Sequence, residues 1–266
     1  MTEPRPLREA DLSRVEAVFT DVDGTLTTGG RLRSSTLGAL ERLDRAGVPV
    51  VLVTGRPAGF AEAWARTLPV AGVIAENGGV SVRLDGRGSL RKTYARPAAV
   101  RARERRRLAR VVRAALRAVP GSRMSTDSRY AEVDLAIDVN EEVRLGPEAT
   151  QTLEAFLAAR GVNAVRSSVH VNAWIGQFDK AWMVRRFLRS VFRASLAPRD
   201  RRWVYVGDSL NDAPLFAAFP LSVGVANVRT VLGLLAHRPR YVTRAPEGAG
   251  FEELARAVLR PRGGPP

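Results

Sequence analysis

Apolar and polar positions along this chain fall into two textures. Residues 15–19, "VEAVF", form a short apolar run of the length expected for a buried strand, and it ends at two aspartates, Asp21 and Asp23. In 34–47, Leu37, Leu40 and Leu43 share one face, serine opens the segment and Gly47 closes it, which predicts a helix. "VPVVLVTGR" reads as a second strand ending at Thr54. Phe60, Trp64 and Leu68 then recur at helical spacing before a third strand in "GVIAENGG". Strand and helix alternating at these lengths predict βαβ units, a parallel sheet and right-handed crossovers.

After Gly79 the texture changes. "VSVRL" and "SLRKTY" flank "DGRG" as a hairpin, followed by a helix over 101–118, a strand in "RYAEVDLAIDVN", a helix over 148–160 and a strand in "VNAVRSSVHVNAW". From Asp179 the first texture returns. Helices are expected over 180–194, near 211–218, near 228–235 and over 250–259, with strands in "WVYVG", "LSVGV" and "RYVT". The expected fold class is therefore α/β: a Rossmann-like, doubly wound parallel sheet with an inserted α+β domain. The divisions fall at 1–80, 81–174 and 175–266. "MTEPRP" at the start is expected to fray.

Within the insert, Val133, Leu135, Ile137 and Val139 alternate with Glu132, Asp134, Asp138 and Asn140. Val169, Val171, Ala173 and Ile175 alternate likewise with Ser168, His170, Asn172 and Trp174. The small sheet should thus bury one face under helices and leave one polar face open.

Composition narrows the function classes. The 266 residues include no cysteine, which excludes disulfides and thiolate metal sites. No apolar run approaches membrane-spanning length and no leader pattern opens the chain, so a soluble, cytoplasmic protein is expected, as monomer or homodimer. The formal net charge of +15 raises a nucleic-acid reading. Yet Lys92 and Lys180 are the only lysines, so 40 of the 42 basic residues are arginine, a skew typical of codon bias. The densest basic run, 101–118, carries apolar residues at helical spacing and no aromatic to stack bases, so nucleic acid is not expected as a partner.

The candidate chemistry gathers at strand ends: Asp21 and Asp23, Thr54, Lys180 at a helix start, and "GDSLND" at 207–212. In open α/β sheets, ligands bind at the carboxyl ends of the strands. Asp21, Asp23, Asp208 and Asp212 supply the hard oxygens suited to Mg²⁺. Thr54 and nearby N–H groups can donate to phosphate oxygens, and Lys180 adds a compact cation. A carboxylate is then the available nucleophile.

"DVDGTLT", Thr54 in "LVTGR", Lys180 and "GDSLND" together resemble, in order and spacing, the four motifs of the haloacid dehalogenase (HAD) superfamily of phosphohydrolases. "ENGG" and an α+β insert between the second and third motifs resemble the HAD-IIB type with a C2 cap. That group includes Cof-type, sucrose-phosphate and mannosyl-3-phosphoglycerate phosphatases. The resemblance implies a HAD fold and a Mg²⁺-dependent phosphatase in which Asp21 becomes phospho-aspartate and Asp23 carries the proton. Asp21, the Asp23 backbone carbonyl and Asp208 would hold the ion, with Asp212 completing the acidic set. Thr54, Gly55, Lys180 and Asn211 would bind the phosphoryl group.

A cap has to close its open face over the core, so leaving-group recognition is expected from Ser168, His170, Asn172 and Trp174, with Glu132, Asp134 and Asp138. Arg56, Arg129 and Arg166 could read a further anionic group. The expected substrate is a small phosphorylated metabolite: a sugar phosphate, glycosyl-phosphate or phosphoglycerate-type ester. The alternatives are a phosphomutase of the same superfamily and an arginine-rich nucleic-acid binder on a HAD core.

Overall fold

The computed structural model describes residues 2–167 and 169–260. Two sheets organise it. The strands of the large sheet are β1 (Arg5–Pro6), β2 (Ala17–Thr20), β3 (Val50–Val53), β4 (Gly72–Ala75), β5 (Val80–Leu84) and β6 (Leu90–Tyr94), then β11 (Trp203–Gly207), β12 (Leu221–Gly224) and β13 (Tyr241–Val242). Those of the small sheet are β7 (Arg123–Met124), β8 (Leu135–Asp138), β9 (Asn163–Arg166) and β10 (His170–Trp174). The helices are α1 (Ser34–Arg45), α2 (Ala58–Thr67), α3 (Ala98–Ala118), α4 (Pro147–Ala158), α5 (Lys180–Phe187), α6 (Ala213–Ala218) and α7 (Glu247–Val258).

The large sheet runs β1-β13-β12-β11-β2-β3-β4-β5-β6, parallel from β1 to β4. Its central strands are apolar on both faces because both faces are covered. Val18, Val50, Leu52 and Val204 pack in one core with residues of α1, α2 and α7. Phe19, Val51, Val53 and Tyr205 pack in the other with α5 and α6. This is the doubly wound α/β arrangement expected.

The small sheet, in order β7-β8-β10-β9, is antiparallel. Leu135, Ile137, Val139, Val171 and Ala173 bury one face against Leu108, Val112 and Ala115 of α3 and Leu153 and Leu157 of α4. Most arginines of α3 are thereby left exposed on its outer side, as the pattern of 101–118 predicts, while Arg105 turns inward to the Ser128 carbonyl.

Four expectations need correction. The hairpin 80–94 does not open the inserted unit. It continues the large sheet, β5 pairing antiparallel with β4 and β6 with β5. Its buried residues Val80 and Val82 find apolar cover there from the core shared with α2, so the division between the two sheets comes after Tyr94 rather than at 80/81. Residues 5–7 are tied down rather than frayed: Arg5 and Pro6 pair with Tyr241 and Val242, and Leu7 is buried in the core. The helix expected over 180–194 ends as an α-helix at Phe187, widens into a π turn over Leu188–Phe192, and stops at Arg193, whose φ is 52°. Near 228–235 the structure has only a 3₁₀ turn, Ala226–Thr230.

Candidate active site

The motifs lie far apart in sequence but on neighbouring strands, because β11, β2 and β3 are adjacent in the sheet. Asp21 follows β2, Thr54 follows β3 and Asp208 follows β11, so all three emerge at one carboxyl edge. Lys180, the first residue of α5, reaches the same point. Asp179 caps that helix by accepting the Trp182 N–H at 2.6 Å.

Lys180 Nζ donates to Asp21 Oδ1 and to Asp212 Oδ1, each at 2.7 Å. Asp212 also accepts the Tyr205 hydroxyl at 2.6 Å on Oδ1, and the N–H groups of Asp208 (3.0 Å) and Ser209 (3.1 Å) on Oδ2. Asp208 accepts the Thr25 hydroxyl at 2.8 Å and the Asn227 amide at 3.0 Å. One carboxylate oxygen from each of Asp21, Asp208 and Asp212 lies within 4.8 Å of the others. Gly24 makes this possible. Its φ is +77°, and a Cβ there would sit 2.6 Å from Asp208 Oδ2.

Like charges this close, out of water, are costly. Burial, with Asp212 and Asp208 beside it, pushes the Asp21 carboxyl well above its usual range despite Lys180. Burial and the charge of Asp212 push Asp208 up to about 7. Burial works against the Lys180 ammonium, but Asp21 and Asp212 outweigh it and raise its pKa. Buried hard oxygens with too little positive charge among them are the donor set that a small divalent cation satisfies. Asp21 and Asp208 fit as direct ligands. Asp212 spends both oxygens on Lys180, Tyr205 and two N–H groups, and so holds Lys180 and the 208–209 turn.

Asp23 stands on the other side of the site, gripped by Arg56 through Nε–Oδ2 at 3.0 Å and Nη2–Oδ1 at 2.9 Å. The same guanidinium reaches across to the small-sheet unit, contacting Asp127 at 3.0 Å and Glu141 at 2.7 Å. Glu141 also pairs with His170 Nε2 at 2.7 Å. The His170 contact, then Arg56, hold its carboxyl down at about 2 against partial burial. Thr54 Oγ1 accepts the Arg56 N–H at 3.0 Å, which shapes the turn. Asn211, positioned by the Ser209 hydroxyl at 2.7 Å, joins Asp21, Asp23, Gly55, Arg56, His170 and Asn172 around a narrow cavity of about 10 Å³. A larger cleft of about 700 Å³, lined by Trp174, Phe178 and Trp182, opens on the far side of Asn211.

Asp21, Asp23, Thr54, Gly55, Arg56, His170, Asn172, Lys180, Asp208, Asn211 and Asp212 thus converge. Other expected contributors do not. Arg129 is exposed and stacks on Tyr130. Arg166 pairs with Glu154 of α4, on the helix-covered side of the small sheet. Glu132 bonds Lys92 and Tyr94, and Asp134 bonds Asn77. Asp138 accepts the N–H groups of Asn140, Glu141 and Glu142, holding the turn that presents Glu141. Trp174 turns away and donates to the Phe178 carbonyl at 3.0 Å. Ser168 lies outside the described residues. The polar face expected to stand open is buried at His170 and Asn172, because it packs over the carboxyl edge of the large sheet.

The sequence pattern missed Asp127, Glu141, Tyr205 and Asn227. Glu141 and Asp127 lie in turns without periodicity. Tyr205 reads as an ordinary strand residue, and Asn227 carries no motif.

Residues 18–101 match the family model of haloacid dehalogenase-like hydrolases. That stretch carries the first two of the four motifs and is similar to the family. Along nearly its whole length the chain is similar to curated phosphatases. The phosphoglycolate phosphatase of Methanococcoides burtonii is 25% identical over 258 residues, 92% of this chain and 97% of that one. Among solved structures, Thermoplasma acidophilum 0175 superposes with a TM-score of 0.69 at 19% identity, covering 92% of this chain and 98% of that one. A HAD subclass IIB sugar phosphatase superposes at 0.61 and 16% identity, covering 92% and 100%. The two structures establish the shared fold.

Proposed function

We propose that this protein is a Mg²⁺-dependent phosphatase that hydrolyses a small phosphorylated metabolite through an aspartyl-phosphate on Asp21. The substrate would be a sugar phosphate or a shorter ester of phosphoglycerate or phosphoglycolate type. The observation that carries this reading is Asp21 itself: a buried carboxylate held 2.7 Å from Lys180, beside Asp208, at the carboxyl edge of the sheet. The phosphoglycolate phosphatase activity in the curated relative's name supports a short ester.

Asp21, Asp208 and the backbone carbonyl of Asp23 would hold the ion. When bound it would offset repulsion between the nucleophile and the phosphoryl oxygens. An Asp21 carboxylate oxygen attacks phosphorus as the bond to the leaving oxygen breaks, and a proton from Asp23 goes to that oxygen. Asp23 then takes a proton from the water whose oxygen attacks the phospho-aspartate. The bond to Asp21 breaks, releasing inorganic phosphate and the free carboxylate. Lys180, Thr54, the Gly55 N–H and Asn211 orient the phosphoryl group, whose transfer depends on positioning and charge stabilisation.

The small-sheet unit serves as the cap. The narrow cavity of about 10 Å³ is far smaller than a phosphoryl group and its alcohol, so the cap would withdraw to admit substrate and return to exclude bulk water. The test is Asp21→Asn. It should abolish Mg²⁺-dependent phosphate release while the far-UV spectrum and thermal midpoint stay close to wild type. Substantial residual release would overturn the aspartyl-phosphate route.

A further inference from the structure

One wall of the cavity over Asp21 and Asp23 is left idle by the chemistry above. Asn172 projects from β10 onto the Thr54–Gly55 turn, where a Cβ on Gly55 would lie 3.1 Å from its Nδ2 and 3.2 Å from its Oδ1. The residue is only 1% exposed. Among the described residues, neither its Nδ2 nor its Oδ1 has a hydrogen-bond partner. An amide buried with both ends unpaired is costly in the free enzyme, and a ligand that pairs them gains correspondingly.

The chemistry of that ligand follows from the two ends. Phosphoryl and carboxylate oxygens only accept, so either would pair Nδ2 and leave Oδ1 orphaned. A hydroxyl both accepts and donates, and so completes the amide. Charge points the same way. Among the described residues lining the cavity, Arg56 is the only arginine or lysine, and three carboxylates already share it. A carboxylate on the leaving group would have to displace Glu141 or Asp127 from the guanidinium, or stand beside them unpaired.

We propose that Asn172 is a specificity-determining residue that reads an uncharged hydroxyl on the leaving group close to the ester. The preferred substrates would then be phosphorylated neutral polyols or sugars rather than phosphorylated carboxylic acids. This rests on the phosphatase reading above and narrows its substrate class. It also sets this chain apart from the activity in its curated relative's name, which concerns a carboxylate-bearing ester.

The experiment compares three two-carbon esters in the presence of Mg²⁺: 2-hydroxyethyl phosphate, ethyl phosphate and 2-phosphoglycolate. Wild-type protein should show kcat/KM for the hydroxyethyl ester at least about tenfold above either other ester, since a site built around a hydroxyl rejects analogues lacking it. Asn172→Leu should bring the hydroxyethyl-to-ethyl ratio close to one with an unchanged thermal midpoint. Asn172→Ser should do the same if leucine prevents folding. A wild-type ratio near one, a preference for 2-phosphoglycolate, or variants that lower all three rates equally would each overturn the proposal. The last result would mean that the amide serves the phosphoryl group or only the fold. Phosphate released from none of the three, nor from p-nitrophenyl phosphate, would defeat the phosphatase reading and this inference together. Asp21-dependent release without hydroxyl preference would defeat the inference alone.

Discussion

Arg56 holds Asp23 with two parallel bonds, of 3.0 and 2.9 Å, while its remaining donors bind Asp127 and Glu141 across the junction of the two sheets. The proposed proton carrier is therefore held by a guanidinium that also ties the large sheet to the small-sheet unit. Lysine cannot reproduce a bidentate fork. Arg56→Lys should lower kcat for p-nitrophenyl phosphate about 10- to 100-fold, because small displacements of a reacting group cost that much. Steady-state kinetics with KM resolved from kcat checks this, and an unchanged kcat would remove Arg56 from the positioning of Asp23.

Lys180 is buried between Asp21 and Asp212. Lys180→Met should eliminate measurable phosphate release and strand two buried carboxylates. Breaking a buried pair in this way costs roughly 3–5 kcal/mol. Urea unfolding monitored by tryptophan fluorescence reads the stability loss. Lys180→Arg should not restore activity, since the planar fork does not fit the space of a compact ammonium.

Gly24 leaves room for Asp208 at φ +77°. Gly24→Ala should push the Asp208 carboxylate aside and raise the Mg²⁺ concentration for half-maximal activity about 10- to 100-fold, the usual effect of disturbing what orients a metal ligand. A metal titration of initial rates decides it. An unchanged requirement would show that Asp208 tolerates the shift.

The His170 and Arg56 contacts lower the Glu141 carboxyl from an ordinary 4.5 to about 2 in the folded protein. A depressed carboxyl stabilises the fold above its unfolded pKa and loses that contribution as pH falls through the folded one. The Glu141 contribution should be complete above about pH 4.5 and fade towards pH 2. Glu141→Gln should lower the thermal midpoint at pH 7 while narrowing its gap to wild type on acidification. A gap constant down to pH 2.5 would contradict the ion pair. Because Glu141 is partly solvent-exposed, the shift in midpoint should be modest.

Asp21, Asp23, Lys180 and "GDSLND" were legible together rather than singly, because a strand-end carboxylate or a helix-start lysine is ordinary alone, whereas all of them in that order are not. The strand pattern also placed them at one edge, since a parallel sheet with crossovers aligns its carboxyl ends. The rarity of lysine was informative too. Lys180 bridges Asp21 and Asp212, and Lys92 bridges Glu62 and Glu132, in a chain that otherwise writes its cations as arginine.

Local pattern determined this much: which segments become strands and helices, which residues sit at strand ends, and which face of the small sheet is polar. Only tertiary packing decided what that polar face meets. Alternation puts His170 and Asn172 on one side of β10, but it cannot tell a face bathed in water from one buried against the core. Arg129 and Arg166 looked equally available, yet one stacks on its neighbour and the other pairs under a helix. Asp127 and Glu141 reach Arg56 from turns with no period to read. Hydrophobic periodicity specifies burial along one element, whereas a site between two units depends on how their surfaces meet, which no single segment records.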